Sequence, residues 1–226
     1  MAKKVTTLFI RDASVNLLVM NGRQIKNWAS LPLEPGLVSQ GLIVDEAQVA
    51  DKVKQLFKET GAKTNKVITA LSGHHSLYRI ITLPELPVAI LPEAVKREAR
   101  RTIPTPLEEV YFPYQRLPSP TRGESRIFLV TFPRNLVDAL IRTLHQAGVR
   151  PYIMDLAPLA LCRIPNKSRA IIVNARSERL DVMVIADRLP QVIRSLSLPG
   201  EAESLEERLP LIAEEFNRTV AFYNSS

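Results

Sequence analysis

Repetition is the feature that most constrains the fold of this chain. Residues 171–200 (IIVNARSERLDVMVIADRLPQVIRSLSLPG) predict three short strands joined by two tight turns, and residues 8–33 (LFIRDASVNLLVMNGRQIKNWASLPL) predict the same arrangement. Aligning the two copies places Val19 on Val184, with only a few inserted residues. A helix with one apolar face is predicted after each copy. We therefore interpret the chain as a duplicated strand–strand–strand–helix unit with a different segment between the copies.

Composition is that of a globular protein and indicates its compartment. Of the 226 residues, 46% are hydrophobic and 23% are charged, which argues against a disordered chain. The single Cys162 excludes an internal disulfide, so a reducing cytosol is expected. No apolar run is long enough for a membrane helix, and the first residues have too short an apolar stretch for a secretory signal.

The net charge indicates an acidic partner. A formal charge of +7 and a pI near 9.7 favour nucleic acid, anionic lipid or an acidic protein. The densest basic cluster is KREARR at residues 96–101, and no aromatic residue lies between Tyr78 and Tyr111. Because nucleic-acid sites usually interleave aromatic and basic side chains, we interpret this cluster as a solvated helix face. A basic nucleic-acid-binding α/β protein stays open as the weaker alternative.

The segment between the copies has a different character. Strands are predicted at Val67–Leu71 and Ser76–Leu83, and a helix is predicted around Glu93–Arg101. A strand near Val110–Leu117 follows, and a strand–helix–strand run closes the segment. The pattern predicts a small α/β module inserted between two related halves.

Several motifs in this segment carry a resemblance to a known family. They are L-P-x-x-P at 83–87, A-V-x-x-E-A at 94–99, I-P-x-P-L-E-E-V at 103–110, A-G-V-x-P at 147–151, and Asp155. The chain resembles the PilM family, the actin-like cytoplasmic proteins of type IV pilus assembly, from roughly residue 5 to residue 223. The resemblance is specific in the middle of the chain, whereas the residues before and after this segment match mainly in their pattern of strands and helices. The family shares its fold with the cell-division protein FtsA.

The resemblance implies an α/β, actin-like (ribonuclease H-like) fold with duplicated meander-plus-helix halves and an inserted small α/β subdomain. The implied units are residues 1–77 (first half of actin-like domain I), 78–155 (inserted subdomain), 156–168 (return helix and linker) and 169–226 (incomplete start of domain II). The family's adenine-side segment would follow residue 226, so a C-terminally truncated chain is expected. The two meanders would be the facing phosphate hairpins of an actin-like cleft.

The hairpin sequences depart from what a nucleotide site needs. Small turns supply backbone N–H groups to phosphate, and carboxylates organise Mg²⁺. Family-like hairpins would read L-D-I-G-S-S-S-I-K and V-D-I-G, whereas this chain reads L-F-I-R-D-A-S-V-N and V-N-A-R. Phe9 and Asn174 stand where carboxylates belong, and Arg11 replaces a glycine. We expect a degenerate site with no catalytic residue, no metal and no cofactor, so that ATP and Mg²⁺ are disfavoured.

If nucleotide binding were retained, its residues would lie in the two turns. They would be Arg11, Asp12, Ala13, Ser14, Ala175, Arg176 and Ser177. A functional FtsA-like ATPase is therefore an alternative function. The pair His74-His75 lacks further ligands at metal spacing and is interpreted as a polar turn, and Cys162 is interpreted as a small buried hydrophobic residue.

The resemblance also implies a partner. In the family, a groove between the first half and the inserted subdomain takes the short cytoplasmic N-terminus of the membrane protein PilN. We predict that the apolar face of the 93–101 helix and its flanks line this groove: Leu83, Leu86, Val95, Ala99 and Ile103. The alternative is that these residues are core.

The expected function is a non-catalytic actin-like scaffold of type IV pilus or related secretion assembly. A PilN-like peptide is the expected partner, and other inner-membrane pilus components are further candidates. The protein is expected to be cytoplasmic and peripheral to the inner membrane through its partners. Neither nucleic-acid binding nor direct membrane insertion is expected.

Overall fold

The computed structural model describes residues 4–73, 76–176, 179–198 and 205–225. The strands are β1 Lys4–Arg11, β2 Ser14–Asn21, β3 Gln24–Pro32, β4 Val38–Ser39, β5 Leu42–Ile43, β6 Asn65–Leu71, β7 Tyr78–Pro84, β8 Val110–Tyr111, β9 Tyr114–Leu117, β10 Glu124–Val130, β11 Phe132–Pro133, β12 Arg150–Leu156, β13 Ala170–Ala175, β14 Arg179–Ala186 and β15 Leu189–Ser197. The helices are α1 Glu46–Thr60, α2 Leu91–Thr102, α3 Arg134–Gln146, α4 Ala157–Cys162 and α5 Leu205–Ser225. A turn of 3₁₀ helix covers Leu107–Glu109.

The first sheet has five strands in the order β12-β6-β1-β2-β3. β1 is antiparallel to β2 and parallel to β6. β12 lies on the other side of β6 and is parallel to it. Alternate residues of a strand share one face, and those on the inner face of β1 and β2, such as Leu8 and Val15, are 0% exposed. They form one core with the apolar faces of α1 and α3.

Local sequence sets the limits of α1. The Asp45 carboxylate accepts the Gln48 N–H at 3.0 Å and so caps the first turn. Val49 and Val53, one turn apart, are completely buried. The helix ends at Gly61, whose φ of +61° is the left-handed conformation that glycine adopts without strain.

The inserted segment forms a second, smaller core. β7, β10 and β9 pair in antiparallel, with β10 in the centre. Leu91, Val95 and Ala99 recur at four-residue spacing on α2 and lie in one cluster with Ile127 and Leu129 of β10. Burying a valine- or leucine-sized side chain contributes about 1.5–3 kcal/mol. This cluster therefore holds α2 on the small sheet.

This core corrects the predicted peptide groove. Val95 and Ala99 are 0% exposed and Ile103 is 6% exposed, while Leu83 and Leu86 are half-buried. The assignment of Val95, Ala99 and Ile103 to a groove is wrong, because a side chain without solvent access cannot contact a docked peptide. Apolar residues at helical spacing look the same in sequence whether they face a core or a groove.

The insertion is also shorter than the predicted span of 78–155. The Leu77 N–H donates to Thr131 Oγ1 at 3.0 Å, and the Thr131 N–H donates to the Leu77 carbonyl at 2.7 Å. The chain therefore leaves and returns at one place. α3 and β12 then rejoin the first core, where Arg142 pairs with Glu46 of α1 at 2.6 Å. The predicted end at 155 is thus wrong, and the small sheet ends near Thr131.

The strand predicted near Val110–Leu117 is divided in the structure. β8 pairs with β11, and β9 pairs with β10. Phe112 and Pro113 separate the two strands, and a proline has no N–H to continue a ladder. The break turns the chain from one small sheet to the other.

The second repeat forms a three-stranded sheet in the order β13-β14-β15. Leu180 and Val182 of β14 lie in one cluster with Ile212 and Phe216 of α5. Within the described part of the chain, no helix combines the length and apolar character needed to cross a membrane.

The strand registers confirm the duplication in detail. The pairing of β2 with β3 shifts register between Val19 and Met20, and the pairing of β14 with β15 shifts between Val184 and Ile185. The sequence alignment makes these two positions equivalent. Irregularities of this kind are fixed features of a strand pair, so both copies share a common local design.

The buried position of Val95 gives a test of the α2 core. Val95→Asp should lower the free energy of unfolding by about 3 kcal/mol or more, because it puts a carboxylate where water has no access. Denaturant unfolding followed by circular dichroism measures the change. Arg97→Asp, on the exposed face of the same helix, is the matched control and should cost less than about 1 kcal/mol. Equal stability of the two variants would contradict the core assignment.

Candidate functional site

The turns that follow β1 and β13 meet across a narrow cleft. Its lining comes from both repeats: Phe9, Arg11, Asp12, Ser72, Arg176, Arg179 and Ser197. The cavity has a volume of about 40 Å³. The two hairpins therefore face each other, as the sequence resemblance predicts, and the space between them is small.

On the first side of the cleft, polar side chains hold the turn in place. Arg11 donates to Ser14 Oγ from Nη2 at 2.8 Å and from Nε at 3.2 Å. The Asp12 carboxylate accepts the backbone N–H groups of Gln40 and Gly41 at 2.7 and 2.9 Å. Asp12 thereby anchors the turn between β4 and β5.

On the second side, one buried carboxylate connects three strands. Asp181, which is 0% exposed, accepts hydrogen bonds from Arg179 Nε at 2.7 Å, Ser195 Oγ at 2.7 Å, Asn174 Nδ2 at 2.9 Å and Arg176 Nη2 at 3.0 Å. Burial alone raises the pKa of Asp181, but the Arg179 guanidinium and the hydrogen bonds from Ser195, Arg179 and Asn174 outweigh burial. The pKa is therefore held below its ordinary value, and the carboxylate is ionised.

The cleft gathers some of the residues predicted for a retained nucleotide site. Arg11, Asp12 and Arg176 line it. Three others are described but do not belong to its lining: Ala13, Ser14 and Ala175. Ser177 lies outside the described residues, as do His74 and His75. Within the described ranges, no group of three or more His, Cys, Asp and Glu side chains is placed to hold a metal ion.

Sequence reasoning missed the buried charges of the cleft, Arg179 and Asp181. They open β14 as R-L-D before a long apolar run. Residues two apart on a strand share a face, and opposite charges on a buried face must pair, since an unpaired buried charge is very costly. That spacing is the signal from which the pair could be predicted.

Asp181 gives a test of the second hairpin. Asp181→Asn should lower the free energy of unfolding at neutral pH by about 3–5 kcal/mol, because it leaves buried guanidinium charge uncompensated. The loss should be complete above the ordinary pKa of an aspartate and should vanish as the pH falls through the lowered pKa of the folded state. Denaturant unfolding across an acid pH series measures it.

Asp187→Asn is the matched control for this test. Asp187 is an exposed residue in the turn of the same sheet, and asparagine tolerates its φ of +54°. The control should leave stability nearly unchanged. A pH-independent loss in Asp181→Asn would contradict an ionised Asp181.

A larger apolar groove lies between the insertion and the first core. Two adjoining cavities of about 440 and 470 Å³ form it and share Pro113, Phe132 and Met154. The remaining apolar walls come from the small sheets, α3, α4 and the start of β15: Val110, Tyr111, Phe112, Tyr114, Leu117, Phe128, Val130, Val137, Leu159, Cys162, Leu189 and Pro190. The groove thus lies between the first half and the insertion, but β8 to β11 form its wall and α2 does not.

The groove has a positive rim. Its charged lining residues are Arg134, Arg163, Arg188 and Asp155, and Asp155 is already paired with Arg163. The Arg134 guanidinium lies 4.2 Å from the centre of the Tyr111 ring. The excess of cations favours a ligand that carries acidic groups beside its apolar side chains.

Cys162 lines this groove as an apolar residue. Burial raises the pKa of its thiol to about 11. The thiol is therefore protonated near neutral pH, and the reactive thiolate is scarce. This agrees with the interpretation of Cys162 as a small hydrophobic residue.

Comparison with known proteins gives a family and a fold. The sequence matches the family model of the type IV pilus assembly protein PilM over residues 12–189. A solved PilM-PilN type IV pilus biogenesis complex is 25% identical with a TM-score of 0.74, and the match covers 96% of this chain and 67% of that one. No curated protein matches the sequence significantly.

Two further solved structures share the fold alone. The cytoplasmic domain of EpsL, an inner-membrane component of the type II secretion system of Vibrio cholerae, is 14% identical with a TM-score of 0.59 over 93% of this chain and 75% of that one. The ethanolamine utilization protein EutJ from Carboxydothermus hydrogenoformans is 15% identical with a TM-score of 0.54 over 93% of this chain and 58% of that one. The shared fold is actin-like.

Proposed function

The chain belongs to the PilM family of type IV pilus assembly proteins, and from that premise we propose that it is a scaffold that binds the cytoplasmic N-terminal peptide of a PilN-like inner-membrane protein. One similar solved structure is a PilM-PilN complex, which supports a partner of this class. Binding would hold the scaffold in the cytoplasm at the inner membrane through its partner. No step of catalysis is required for this role.

The apolar groove is the observation that carries the proposal. Phe132 and Met154 are shared by both of its cavities, and both side chains are only half-buried by the rest of the chain. Aromatic and thioether side chains left open in this way gain stability when a ligand covers them, and methionine adapts to the shape of an irregular ligand. A short extended peptide with apolar side chains fits a groove of this size.

The walls of the groove come from three parts of the chain, and this supports a scaffolding role. The small sheets and the first core form most of it, and Leu189 and Pro190 from the second repeat close one end. A peptide seated there would contact both repeats and the insertion. Its affinity should be moderate, in the micromolar range, because a flexible peptide loses conformational entropy on docking.

Tyr111→Ala tests the location of the peptide site. Tyr111 is 36% exposed and lines the groove, so its loss should weaken peptide binding about tenfold, or about 1.4 kcal/mol. Fluorescence anisotropy with a labelled N-terminal peptide of a PilN-like protein measures the affinity. Met154→Lys, which puts a charge at the junction of the two cavities, should abolish binding.

Trp28→Ala is the matched control, because Trp28 is an exposed aromatic residue on β3 that lies outside the groove. It should bind the peptide as the unmodified protein does. Melting temperatures show whether each variant is folded. Unchanged binding by folded Tyr111→Ala and Met154→Lys would place the peptide elsewhere.

A working ATPase is disfavoured by the chemistry of the cleft. Phe9 and Asn174 stand where a metal-binding site needs carboxylates, and the arginine-lined cavity of about 40 Å³ is too small for a nucleotide. We expect the dissociation constant for ATP with Mg²⁺ to be larger than about 10 μM, a value that corresponds to a binding free energy of roughly −7 kcal/mol. Isothermal titration calorimetry measures it, and tighter binding would overturn this view.

A further inference from the structure

The turn before α2 leaves aliphatic side chains in solvent. Val88 is 79% exposed and Ile90 is 53% exposed. They belong to the sequence P-V-A-I at residues 87–90, all four of which are exposed, and we call this segment the apolar tip. The small core of the insertion begins at the next residue, Leu91, and does not cover the apolar tip. Contiguous exposed apolar residues indicate contact with another molecule more often than isolated ones do.

The apolar tip is held in one conformation. The Pro87 carbonyl accepts the N–H group of Ile90 at 3.0 Å, and the rings of Pro87 and Pro92 restrict the backbone on both sides of the turn. The Glu85 N–H donates to the Gly123 carbonyl at 2.7 Å and so fixes the incoming chain to the loop before β10. A preordered turn loses little conformational entropy when it contacts a partner. The turn therefore keeps its side chains in solvent until a partner covers them.

The outward face of α2 adds positive charge beside the apolar tip. Ile90, Arg97 and Arg101 are spaced by seven and four residues, so they share one side of the helix, opposite its buried positions. Arg100 and Lys96 lie next to this side. We call the exposed side of α2 with these cations the cationic face. Aliphatic and cationic side chains thus adjoin on one surface.

Carboxylates offset only part of the charge of the cationic face. Glu98 pairs with Arg101 at 3.1 Å, and the exposed Glu93 offsets one further cation. Three of the four cations of α2 make no ion pair within the described part of the chain: Lys96, Arg97 and Arg100. The whole chain carries a formal charge of +7, which attracts it to anionic surfaces in general.

This combination fits an anionic lipid surface better than other acidic partners. Nucleic-acid sites use aromatic side chains that stack on bases, and neither the apolar tip nor α2 contains an aromatic residue. An acidic peptide needs a groove, whereas the apolar tip is a turn in solvent. At a bilayer, aliphatic side chains enter the boundary below the headgroups while lysine and arginine contact the lipid phosphates.

We propose that the apolar tip and the cationic face bind the surface of an anionic phospholipid bilayer. Val88 and Ile90 enter the boundary between headgroups and acyl chains, and Arg97 and Arg100 contact the headgroups. No helix needs to enter the bilayer for this contact. The site acts without a partner peptide, so it is independent of the function proposed above. Beside a partner that is anchored in the membrane, the two weak contacts strengthen each other.

Co-sedimentation of the full chain with lipid vesicles, in the absence of any peptide, tests this site. One set of vesicles is pure phosphatidylcholine, and the other contains about one-third phosphatidylglycerol, which makes the surface anionic. The chain should bind the anionic vesicles at low salt and should bind the neutral ones much less. Added salt should weaken the binding, because it screens the attraction between the cationic face and the headgroups.

Two variants separate the apolar and the cationic contributions. Val88→Asp puts a carboxylate at the apolar tip, where it is repelled by the headgroups. Arg97→Gln combined with Arg100→Gln removes two cations and leaves the buried side of α2 unchanged. Each variant should weaken binding to the anionic vesicles about tenfold or more, since each cation near such a surface contributes about 1 kcal/mol.

Matched controls carry the same chemical changes on other surfaces. Val44→Asp changes a valine that is 61% exposed before α1. Lys54→Gln combined with Lys58→Gln removes two cations from the exposed side of α1. Both controls should bind the anionic vesicles as the unmodified chain does. Melting temperatures show that every variant is folded.

A fluorescent reporter measures whether the apolar tip enters the bilayer. The chain has one tryptophan, Trp28 on β3, so Val88→Trp combined with Trp28→Phe places the single indole at the apolar tip. Its emission should move to shorter wavelength when anionic vesicles are added, because the ring leaves water. The emission of Trp28 in the unmodified chain is the control and should not move.

The proposal is overturned by any of three results. The unmodified chain fails to bind anionic vesicles at low salt. Folded Val88→Asp binds them as well as Val44→Asp does, or the indole at position 88 stays in water, in which case the apolar tip does not enter the bilayer. Duplex DNA binds the chain through Arg97 and Arg100 but without dependence on Val88, in which case the cationic face is a nucleic-acid site.

Discussion

The parallel pairing of β12 with β6 determines where the insertion is attached and where the apolar groove lies. Parallel neighbours cannot be joined by a tight turn, so the chain must leave the sheet after Leu71 and return at Arg150 through a long connection. That connection contains the small sheets, α2 and α3. Because Leu77 and Thr131 are hydrogen-bonded to each other, the insertion is attached at one place and stands beside the first core. The apolar groove lies between the insertion and the first core, beside this attachment.

The sequence predicts the repeat well because strand periodicity and turns are local properties. The register shifts at Val19 and Val184 lie where the alignment puts them. The role of α2 was harder to predict, since Val95 and Ala99 show the same spacing whether they face a core or a ligand. The end of the insertion was misplaced for a related reason: the apolar face of α3 does not specify which of two sheets it will cover, and only the pairing of β12 decides that.

The cleft brings charged side chains of both repeats together between the facing hairpins. By the resemblance to the family, Arg11, Asn174 and Arg176 stand at positions where glycine or aspartate is expected. The sequence shows which residue types stand at these positions. It does not show that Asp181 recruits Asn174, Arg176 and Arg179, because that cluster depends on three strands meeting in space. Asn174, Arg176 and Arg179 thus tie the second hairpin to the carboxylate of Asp181.

β15 lies between the groove and the cleft and contacts residues near both. The Tyr78 hydroxyl donates to the Gln191 carbonyl at 3.3 Å and accepts the Ile193 N–H, and its ring lies 6.3 Å from that of Phe128 in the groove wall. Burial raises the pKa of Tyr78 to about 12, so the hydroxyl stays protonated and can serve both bonds throughout the physiological pH range. The same strand carries Ser195, which binds Asp181, and Ser197, which lines the cleft. β15 therefore contributes contacts to the surroundings of both the groove and the cleft.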